Sequence, residues 1–365
     1  MTSKQRVYAA LARQPVDRVP IFMWFHPDTA RKLADLLEIE VRDVGEAMGN
    51  DIRQTWVSNN YAMEGIVHER DGDSHLDWWG ITWLRQHGFN QISRFPLAGA
   101  SREQVLAYRF PDERREDLLA LMDPVLSARG DYFIGCDVSP CVFEMYWRLR
   151  GMEDAMADIA GDPELADEMF RRCADFTIGI GIEACKRFPL DWYWTGDDVA
   201  GQRSLMMSPK SWRALVRPHL QRVIDVGKVR GLPVAYHCCG ALRPIIPDLI
   251  EMGVDILNPV QANCPGMDAL ELKREYGSRL AFMGGVDTQE LLPRASASEV
   301  RRTTSALIEG MTADGGGYIL AASHTISPET PGDNVFAMYE AAGVSKEEVF
   351  DRAASIRGRY STTGR

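Results

Sequence analysis

The chain has 365 residues, of which 45% are hydrophobic and 25% are charged, the composition of an ordinary folded globular protein. Its 41 Lys and Arg against 52 Asp and Glu give a net charge of -11, and no basic run offsets it, which argues against nucleic acid and anionic membranes as partners. The amino terminus lacks the apolar core of a signal peptide, no run of about 18 apolar residues occurs, and seven cysteines are too few for a disulfide scaffold. We therefore expect a cytoplasmic protein with free thiols.

Eight short apolar segments alternate with segments of helical period along the chain. The predicted strands are 19–25, 51–57, 131–136, 190–195, 233–238, 256–260, 280–284 and 318–321. The predicted helices include 163–186, 209–230, 241–252, 295–314 and 331–342, and their N-caps are Asp162, Ser208 and Thr330 for the first, second and last of these. Because most of the strands are apolar enough to be buried on both faces, the pattern predicts an α/β fold, a closed (β/α)8 TIM barrel, rather than an open doubly wound sheet.

Two regions do not fit the repeat. A basic helical segment opens the chain and ends near Arg13, and residues 58–130 are rich in Trp, His and charge. We expect them to form an inserted and N-terminal helical region over the barrel mouth. No G-x-G-x-x-G motif follows the first strand, which removes the main support for a dinucleotide-binding fold. No linker or internal repeat marks a second unit, so residues 1–365 are predicted to form a single domain.

Polar side chains stand at the end of each predicted strand, where the active site of a (β/α)8 barrel lies. In strand order they are His26; Asp51 to Arg53; Cys136 and Asp137; Asp197, Asp198 and Gln202; His237 and Cys239; Asn258 and Gln261; Asp287; Ser323 and His324. Structural interpretations stay open for single members of this set. A lone histidine near a strand end is more often a satisfied polar residue than a ligand, and Asp197 with Asp198 could cap a helix.

The fifth predicted strand ends in Tyr-His-Cys-Cys-Gly, residues 236–240. Side chains alternate faces along a strand, so His237 and Cys239 point the same way and offer zinc an imidazole and a thiolate. His324 ends the eighth strand and opens onto the same cavity, which makes it the predicted third ligand. Glu144, in the loop after strand three, is a candidate fourth ligand or proton carrier, while Cys238 is predicted to face the barrel wall as an inert thiol.

Several ordered motifs resemble those of the uroporphyrinogen decarboxylase superfamily, and the similarity spans nearly the whole chain. They are Trp194-Thr195-Gly196-Asp197-Asp198 with Gln202, Ser208-Pro209, Pro218-His219, the run 253–261 that ends in Asn258-Pro259-Val260-Gln261, Gly284-Gly285-Val286-Asp287-Thr288, and the run 317–334 that includes His324 and Asn334. The resemblance implies a (β/α)8 barrel. The superfamily contains uroporphyrinogen decarboxylases as well as zinc methyltransferases, which move methyl groups between corrinoid proteins and thiols such as coenzyme M.

The chain resembles the two branches at different places. His237-Cys238-Cys239 is similar to the His-x-Cys zinc pair of the methyltransferases, which usually have a cysteine where this chain has His324. His324 is similar to the histidine of the decarboxylases' own carboxyl-terminal motif. The decarboxylases also carry an arginine-rich segment after strand one that binds substrate carboxylates, whereas this chain has no arginine there before Arg31.

These features favour a zinc-dependent methyltransferase that moves a methyl group between a small substrate or thiol and a corrinoid or similar carrier, the corrinoid being held by a separate protein. The assigned roles are Zn²⁺ binding for His237, Cys239 and His324; catalysis for Asp198, Glu144 and His324; and substrate binding for His26, Asp51, Gln202, Tyr236 and Asn258. Two alternatives stay open, as does assembly into a homo-oligomer. One is a metal-independent decarboxylase or lyase acting on a carboxylated substrate, in which Asp51 or Asp198 stabilises a cationic intermediate. The other is a non-catalytic barrel that binds a ligand or a corrinoid protein.

Overall fold

A ring of parallel strands forms the centre of the fold in the computed structural model, which describes residues 1–59 and 68–363. Its seven strands pair side by side in chain order. They are β1 (Ile52–Trp56), β5 (Phe133–Asp137), β6 (Trp192–Gly196), β7 (Val234–His237), β8 (Ile256–Val260), β9 (Ala281–Val286) and β10 (Tyr318–Ala322). Each lies within three residues of its predicted bounds.

The first predicted strand, 19–25, closes the ring without forming a regular strand. Isolated parallel bridges join Ile21 to Leu320 and Phe25 to Ile326 on the β10 side. On the β1 side the Asp51 N–H donates to the Ile21 carbonyl at 2.7 Å. The Asn50 side chain then takes the place of the strand ladder, because its amide bonds both the N–H and the carbonyl of Met23. The predicted (β/α)8 barrel is confirmed, with the irregular segment 19–25 in the place of one strand.

Helices surround the ring. They are α1 (Ser3–Leu11), α2 (Pro27–Leu37), α3 (Val44–Met48), α4 (Arg102–Leu106), α5 (Arg115–Ala120), α6 (Asp123–Ser127), α7 (Phe143–Arg150), α8 (Met152–Gly161), α9 (Pro163–Arg187), α10 (Pro209–Ser211), α11 (Arg217–Val229), α12 (Ile246–Met252), α13 (Ala269–Tyr276), α14 (Leu291–Arg294), α15 (Ala297–Thr312), α16 (Gly332–Ala341) and α17 (Lys346–Thr363). None of the helices in the described part of the chain combines the length and apolarity needed to cross a bilayer.

The predicted helix starts are partly confirmed. Asp162 caps α9 by accepting from the Leu165 N–H, and Ser208 caps α10 by accepting from the Ser211 N–H. Thr330 is not a cap, because α16 begins one residue later, after Pro331, without a side-chain cap. The single helix predicted over 209–230 is interrupted by a π-turn at Trp212–Val216, which separates α10 from α11.

The insertion predicted over 58–130 is more than helical. It contains an antiparallel sheet of β2 (Ser74–Leu76), β3 (Thr82–Gln86) and β4 (Phe89–Arg94), followed by α4 to α6. His87 and Gly88 connect β3 to β4 and both have positive φ, 51° and 81°, the backbone of a two-residue type I′ hairpin. The segment 60–67 of this prediction lies outside the described residues.

Helix α1 lies at the end of the barrel opposite the mouth, which corrects its predicted place. The Lys4 N–H donates to the Asp131 carbonyl just before β5, and the Gly317 N–H just before β10 donates to Ala10. The Tyr8 hydroxyl donates to Asp191, which precedes β6, at 2.8 Å. Helical period predicts a helix but does not say which end of a barrel it covers, so the sequence could not place α1.

Asp51 also lies at the end of the barrel opposite the mouth, because β1 begins directly after it at Ile52. Its carboxylate is fully buried and is bonded by two guanidinium groups, Arg6 at 2.6 Å and Arg18 at 2.7 Å. It also accepts from the Ile21 N–H at 2.8 Å and from the Ser3 hydroxyl at 2.8 Å. The predicted role of Asp51 in substrate binding is therefore wrong: the residue joins α1 to the irregular segment 19–25.

Replacing Asp51 should destabilise the fold strongly. Asp51→Ala leaves the buried Arg6 guanidinium with one acidic partner fewer, and we expect the free energy of unfolding to fall by about 3 to 5 kcal/mol. Urea denaturation measures this change. Asp333→Ala is the matched control, since its ion pair with Lys346 is exposed and should contribute less than about 1 kcal/mol. Equal losses for the two variants would contradict a structural role for the buried cluster.

Candidate metal centre

Three donor groups meet at the mouth of the barrel, His237, Cys239 and His324. Their ligand atoms all lie within 4.8 Å of one another, and the Cys239 Sγ is 3.5 Å from the His237 Nε2. Ligands about 2.0 to 2.3 Å from a tetrahedral zinc ion lie about 3.5 Å apart, so the His237 and Cys239 pair already has that spacing. The sequence prediction that strands five and eight bring these residues together agrees with this arrangement.

Asn258 fixes the ring of His237. Its Oδ1 lies 2.7 Å from the His237 Nδ1, and because a carbonyl oxygen only accepts, Nδ1 carries the proton and donates. The unprotonated Nε2 then faces Cys239. A hydrogen bond of this kind holds the ring nitrogen of a metal-binding histidine in a fixed orientation, so Asn258 acts on a candidate ligand. Asn258 was predicted to bind the substrate. In that role its Oδ1 would have to accept from the substrate as well as from His237.

Partial burial favours the uncharged form of the donors, of which His324 is the most exposed. It lowers the pKa of His237, and with the neighbouring His237 ring it lowers the pKa of His324 to about 4. Burial and the nearby Asp198 carboxyl raise the pKa of the Cys239 thiol well above its usual range. A neutral imidazole is ready to bind a metal, whereas a thiol must first lose its proton. The set therefore fits a cation that compensates a thiolate.

The loop that carries Cys239 is held on both sides. The Asp198 carboxylate accepts from the Cys239 N–H at 2.7 Å, and Gln261 accepts from the Gly240 N–H at 2.9 Å. Gly240 has φ +91°, and a Cβ there would stand 2.4 Å from the Gly201 carbonyl oxygen. Only glycine allows the loops after β6 and β7 to approach this closely.

Glu144 and Asp198 form a second polar group beside the donors. Glu144 accepts from Arg148 at 2.6 Å through one oxygen and from the Asp198 N–H at 3.0 Å through the other. Burial, together with the Glu144 charge, raises the pKa of Asp198 to about 7. Glu144 is therefore a partner of Arg148 and the β6 loop, and it does not belong to the set of three close donors. Asp197 caps α7, accepting from the N–H groups of residues 142 to 144.

A chamber of about 610 Å³ opens above the donors. Its aromatic wall consists of Trp24, Phe25, Trp56, Trp83 and Phe89. Its polar wall includes Asp137, Glu144, Arg148, Asp198, His237 and His324. Of the described residues on this wall, Arg148 is the only arginine or lysine. A chamber of this size suits a small molecule.

Two further residues that were predicted to bind substrate, Tyr236 and Gln202, are not among the residues that line the chamber. Tyr236 points into the layer between strands and helices, where its hydroxyl donates to the Asp197 carbonyl, so its predicted role is wrong. It neighbours His237 along β7, and alternation sends adjacent side chains to opposite faces. Gln202 pairs with Gln261 at 2.8 Å and supports the loop after β7 rather than the chamber wall.

His26 does line the chamber, but both of its ring nitrogens have partners. Nδ1 accepts from the Asp28 N–H, capping α2, so Nε2 carries the proton and donates to the Gly88 carbonyl at 3.1 Å. Its ring packs edge-on against Phe89 with centroids 4.9 Å apart. His26 thus attaches the hairpin of the insertion to the barrel mouth.

Asp137 is a residue of the site to which the sequence assigned no role, although it ends a strand. Its side chain is fully buried on the chamber wall. Oδ1 accepts from the N–H and hydroxyl of Ser139, while Oδ2 has no hydrogen-bond partner in the part of the chain that the structure describes. Burial raises the pKa of this carboxyl well above its usual range. Its position at the carboxyl end of β5 was the signal that could have identified it.

Comparison with known proteins agrees with this architecture. The model of the family described as uroporphyrinogen decarboxylase (URO-D) matches residues 133–343, more than half of the chain. Two proteins named uroporphyrinogen decarboxylase, from two strains of Thermus thermophilus, are each 29% identical over 134 residues. That alignment covers 35% of this chain and 35% of each relative, so the chain spans about a third of their length.

A solved structure described as a methyltransferase from Methanosarcina mazei superposes over 94% of this chain and 98% of its own, with a TM-score of 0.65 and 18% identity. At that identity the likeness concerns the fold, and it supports the barrel across nearly the whole chain. The family match itself, which runs from β5 to α16, leads to one conclusion. The chain belongs to the uroporphyrinogen decarboxylase family.

Proposed function

We propose that this protein is a zinc-dependent methyltransferase that moves a methyl group between a small substrate or thiol and a corrinoid or similar carrier. The observation that carries the proposal is the group of His237, Cys239 and His324 at the barrel mouth. Two neutral imidazoles and one thiol are a donor set that zinc accepts, and the chamber above leaves room for a fourth ligand. An open coordination position is the feature that separates catalytic from structural zinc sites.

Zinc bound by these residues would act as a Lewis acid. It would polarise a bound group or lower the pKa of a coordinated thiol or water. The chain's own residues do the positioning. Asn258 orients the His237 ring, and Asp198 and Gln261 hold the backbone on either side of Cys239. One wall of the neighbouring chamber is aromatic, which would limit the water beside the reacting groups.

A decarboxylase acting on a substrate with several carboxylates is the weaker candidate. Such a substrate requires clustered cations. On the described part of the chamber wall Arg148 is the only cationic side chain, and it donates to Glu144 and to the backbone and side chain of Asn59. The alternative of a non-catalytic barrel gives no account of why three metal donors meet at the mouth with two of them, His237 and His324, lining an open chamber. Both alternatives are tested by the metal content.

A carrier larger than the chamber would have to be presented by another protein. The chamber of about 610 Å³ lies within the range typical of small-molecule sites. We therefore propose that a corrinoid, where it takes part, is held by a separate protein that docks at the barrel mouth.

Metal analysis tests the donor set directly. We expect about one zinc ion per chain in the purified protein. The zinc should be lost in His237→Ala and in Cys239→Ser, because each variant removes one of the three protein ligands. Elemental analysis measures the metal, and Cys185→Ser is the matched control, since Cys185 lies on α9. Zinc retained at full content in both ligand variants would sink the proposal. Zinc retained only in His324→Ala would remove the third ligand and leave the pair.

Methyl transfer is the second readout of the same proteins. The reaction measured is transfer of the methyl group of free methylcobalamin to the thiolate of coenzyme M, which breaks the cobalt–carbon bond and forms a thioether. The visible absorption of cobalamin, which differs between its methylated and demethylated forms, follows it. We expect turnover only with zinc-loaded protein, and a loss of more than about 100-fold in His237→Ala, beyond the effect of losing an outer-shell partner. Full turnover by protein stripped of metal would contradict a metal-dependent mechanism.

Asn258 provides a finer test of the geometry. Asn258→Ala leaves the three donors in place but frees the His237 ring, and we expect the zinc dissociation constant to rise by about 10- to 100-fold. Competition with a chromophoric chelator measures this constant. Asn263→Ala is the control, because Asn263 bonds only Gln289 among the described residues and is exposed. An unchanged constant in Asn258→Ala would mean that His237 is oriented by something other than this hydrogen bond.

A further inference from the structure

Aromatic rings continue from the metal donors into the chamber. The Trp24 ring lies 5.6 Å from the ring of His237, 5.5 Å from that of Trp56 and 5.5 Å from that of Trp194, measured between centroids. Trp24 and Trp56 line the chamber, and both are partly exposed to it. The faces of aromatic rings carry negative charge density, so a wall of this kind attracts cations as well as apolar groups.

The ionisable groups on the wall suit a cation, because a nearby positive charge favours the ionised form of a carboxyl. Three carboxyl side chains, Asp137, Glu144 and Asp198, line the chamber with Arg148. The Arg148 guanidinium is matched by Glu144 at 2.6 Å. Asp137 and Asp198 have no cationic partner of their own in the described part of the chamber wall. An anionic ligand would meet these carboxyls without a free cation to bind it.

Asp137 lies between aromatic residues of the two neighbouring strands and is the candidate partner for a charged ligand. In the strand register it stands beside Trp56 of β1 on one side and Trp194 of β6 on the other. Its Oδ2 is buried and has no hydrogen-bond partner among the described residues, so it is an atom that a ligand, an ion or a water could satisfy. The Trp194 indole N–H likewise bonds none of the described residues, so it does not satisfy the Asp137 Oδ2. A positive charge placed here would favour the ionised carboxylate.

We propose that the chamber binds a small methylated onium cation of the quaternary ammonium type, with its methyl groups against Trp24 and Trp56 and with Asp137 as counter-ion. Aromatic faces combined with a carboxylate are the common means of recognising such cations. The proposal names a chemical class for the small substrate, and in that respect it rests on the proposed methyltransferase function. The binding of the cation does not depend on that function.

Three compounds of nearly the same shape test the charge preference. Choline carries a cationic nitrogen, 3,3-dimethylbutan-1-ol has carbon in its place, and 3,3-dimethylbutanoate is an anion. Titration calorimetry with the purified full-length protein should show choline binding at least about tenfold more tightly than the neutral alcohol, with the anion weakest. Equal affinities for choline and the alcohol, or tightest binding of the anion, would overturn the proposal without any variant being needed.

Asp137→Asn then locates the charge, because it keeps the shape of the side chain and removes its ability to ionise. We expect choline affinity to fall by about tenfold or more while the affinity for the alcohol stays the same. Asp333→Asn, an exposed site, is the control, and circular dichroism confirms that both variants fold. Trp24→Leu should reduce the preference for choline over the alcohol. If Asp137→Asn leaves choline binding unchanged, Asp137 is not the counter-ion and the proposal fails.

The two proposals fail separately. Zinc analysis decides the metal centre irrespective of choline. Choline binding by a protein that holds no zinc supports the onium site and counts against the methyltransferase alone. One zinc ion per chain with no charge preference among the three compounds overturns the onium site and leaves the methyltransferase proposal intact.

Discussion

The alternation of side chains along the barrel strands decides which groups meet at the mouth. Every second residue of a strand faces the interior, so Asp137, Trp194 and His237 stand on one surface although they come from three strands. Their immediate neighbours Cys136, Tyr193 and Tyr236 are packed against the helices instead. Alternation belongs to each strand, but the inward side chains share one cavity only because the ring is closed. That closure depends on the buried Asp51 and the Asn50 amide, which attach the irregular segment 19–25 to β1.

The same rule explains which predictions from the sequence hold. His237 and Cys239 could be paired from the two-residue period, and His324 could be added because strand ends share one edge of a barrel. Tyr236 was wrongly included although the period excludes it. Asp51 was misplaced for another reason: it opens the predicted strand 51–57, and the first residue of a barrel strand belongs to the end opposite the active-site mouth.

Other features depend on distances that no period encodes. The bond from Asn258 to His237 joins neighbouring strands, and the contact of Glu144 with Arg148 and the β6 loop joins α7 to a loop 54 positions away in the chain. Residue types alone could not distinguish a ligand from the residue that orients it. The hairpin of the insertion did leave a local trace, since alternating burial in β3 ends at His87-Gly88, but a histidine before the glycine is a weaker turn signal than asparagine.

The composition of the metal centre and that of the chamber are linked by charge. A divalent cation bound by two neutral imidazoles and one thiolate keeps a net positive charge, whereas a second thiolate in place of His324 would neutralise it. A residual charge at a buried site must be compensated nearby. Glu144 lies close enough to influence the pKa of both histidines, and Asp198 bonds the Cys239 backbone. These acidic groups can balance the imidazole-rich centre, and only the carboxyl beyond them, Asp137, is then left to interact with the charge of a ligand.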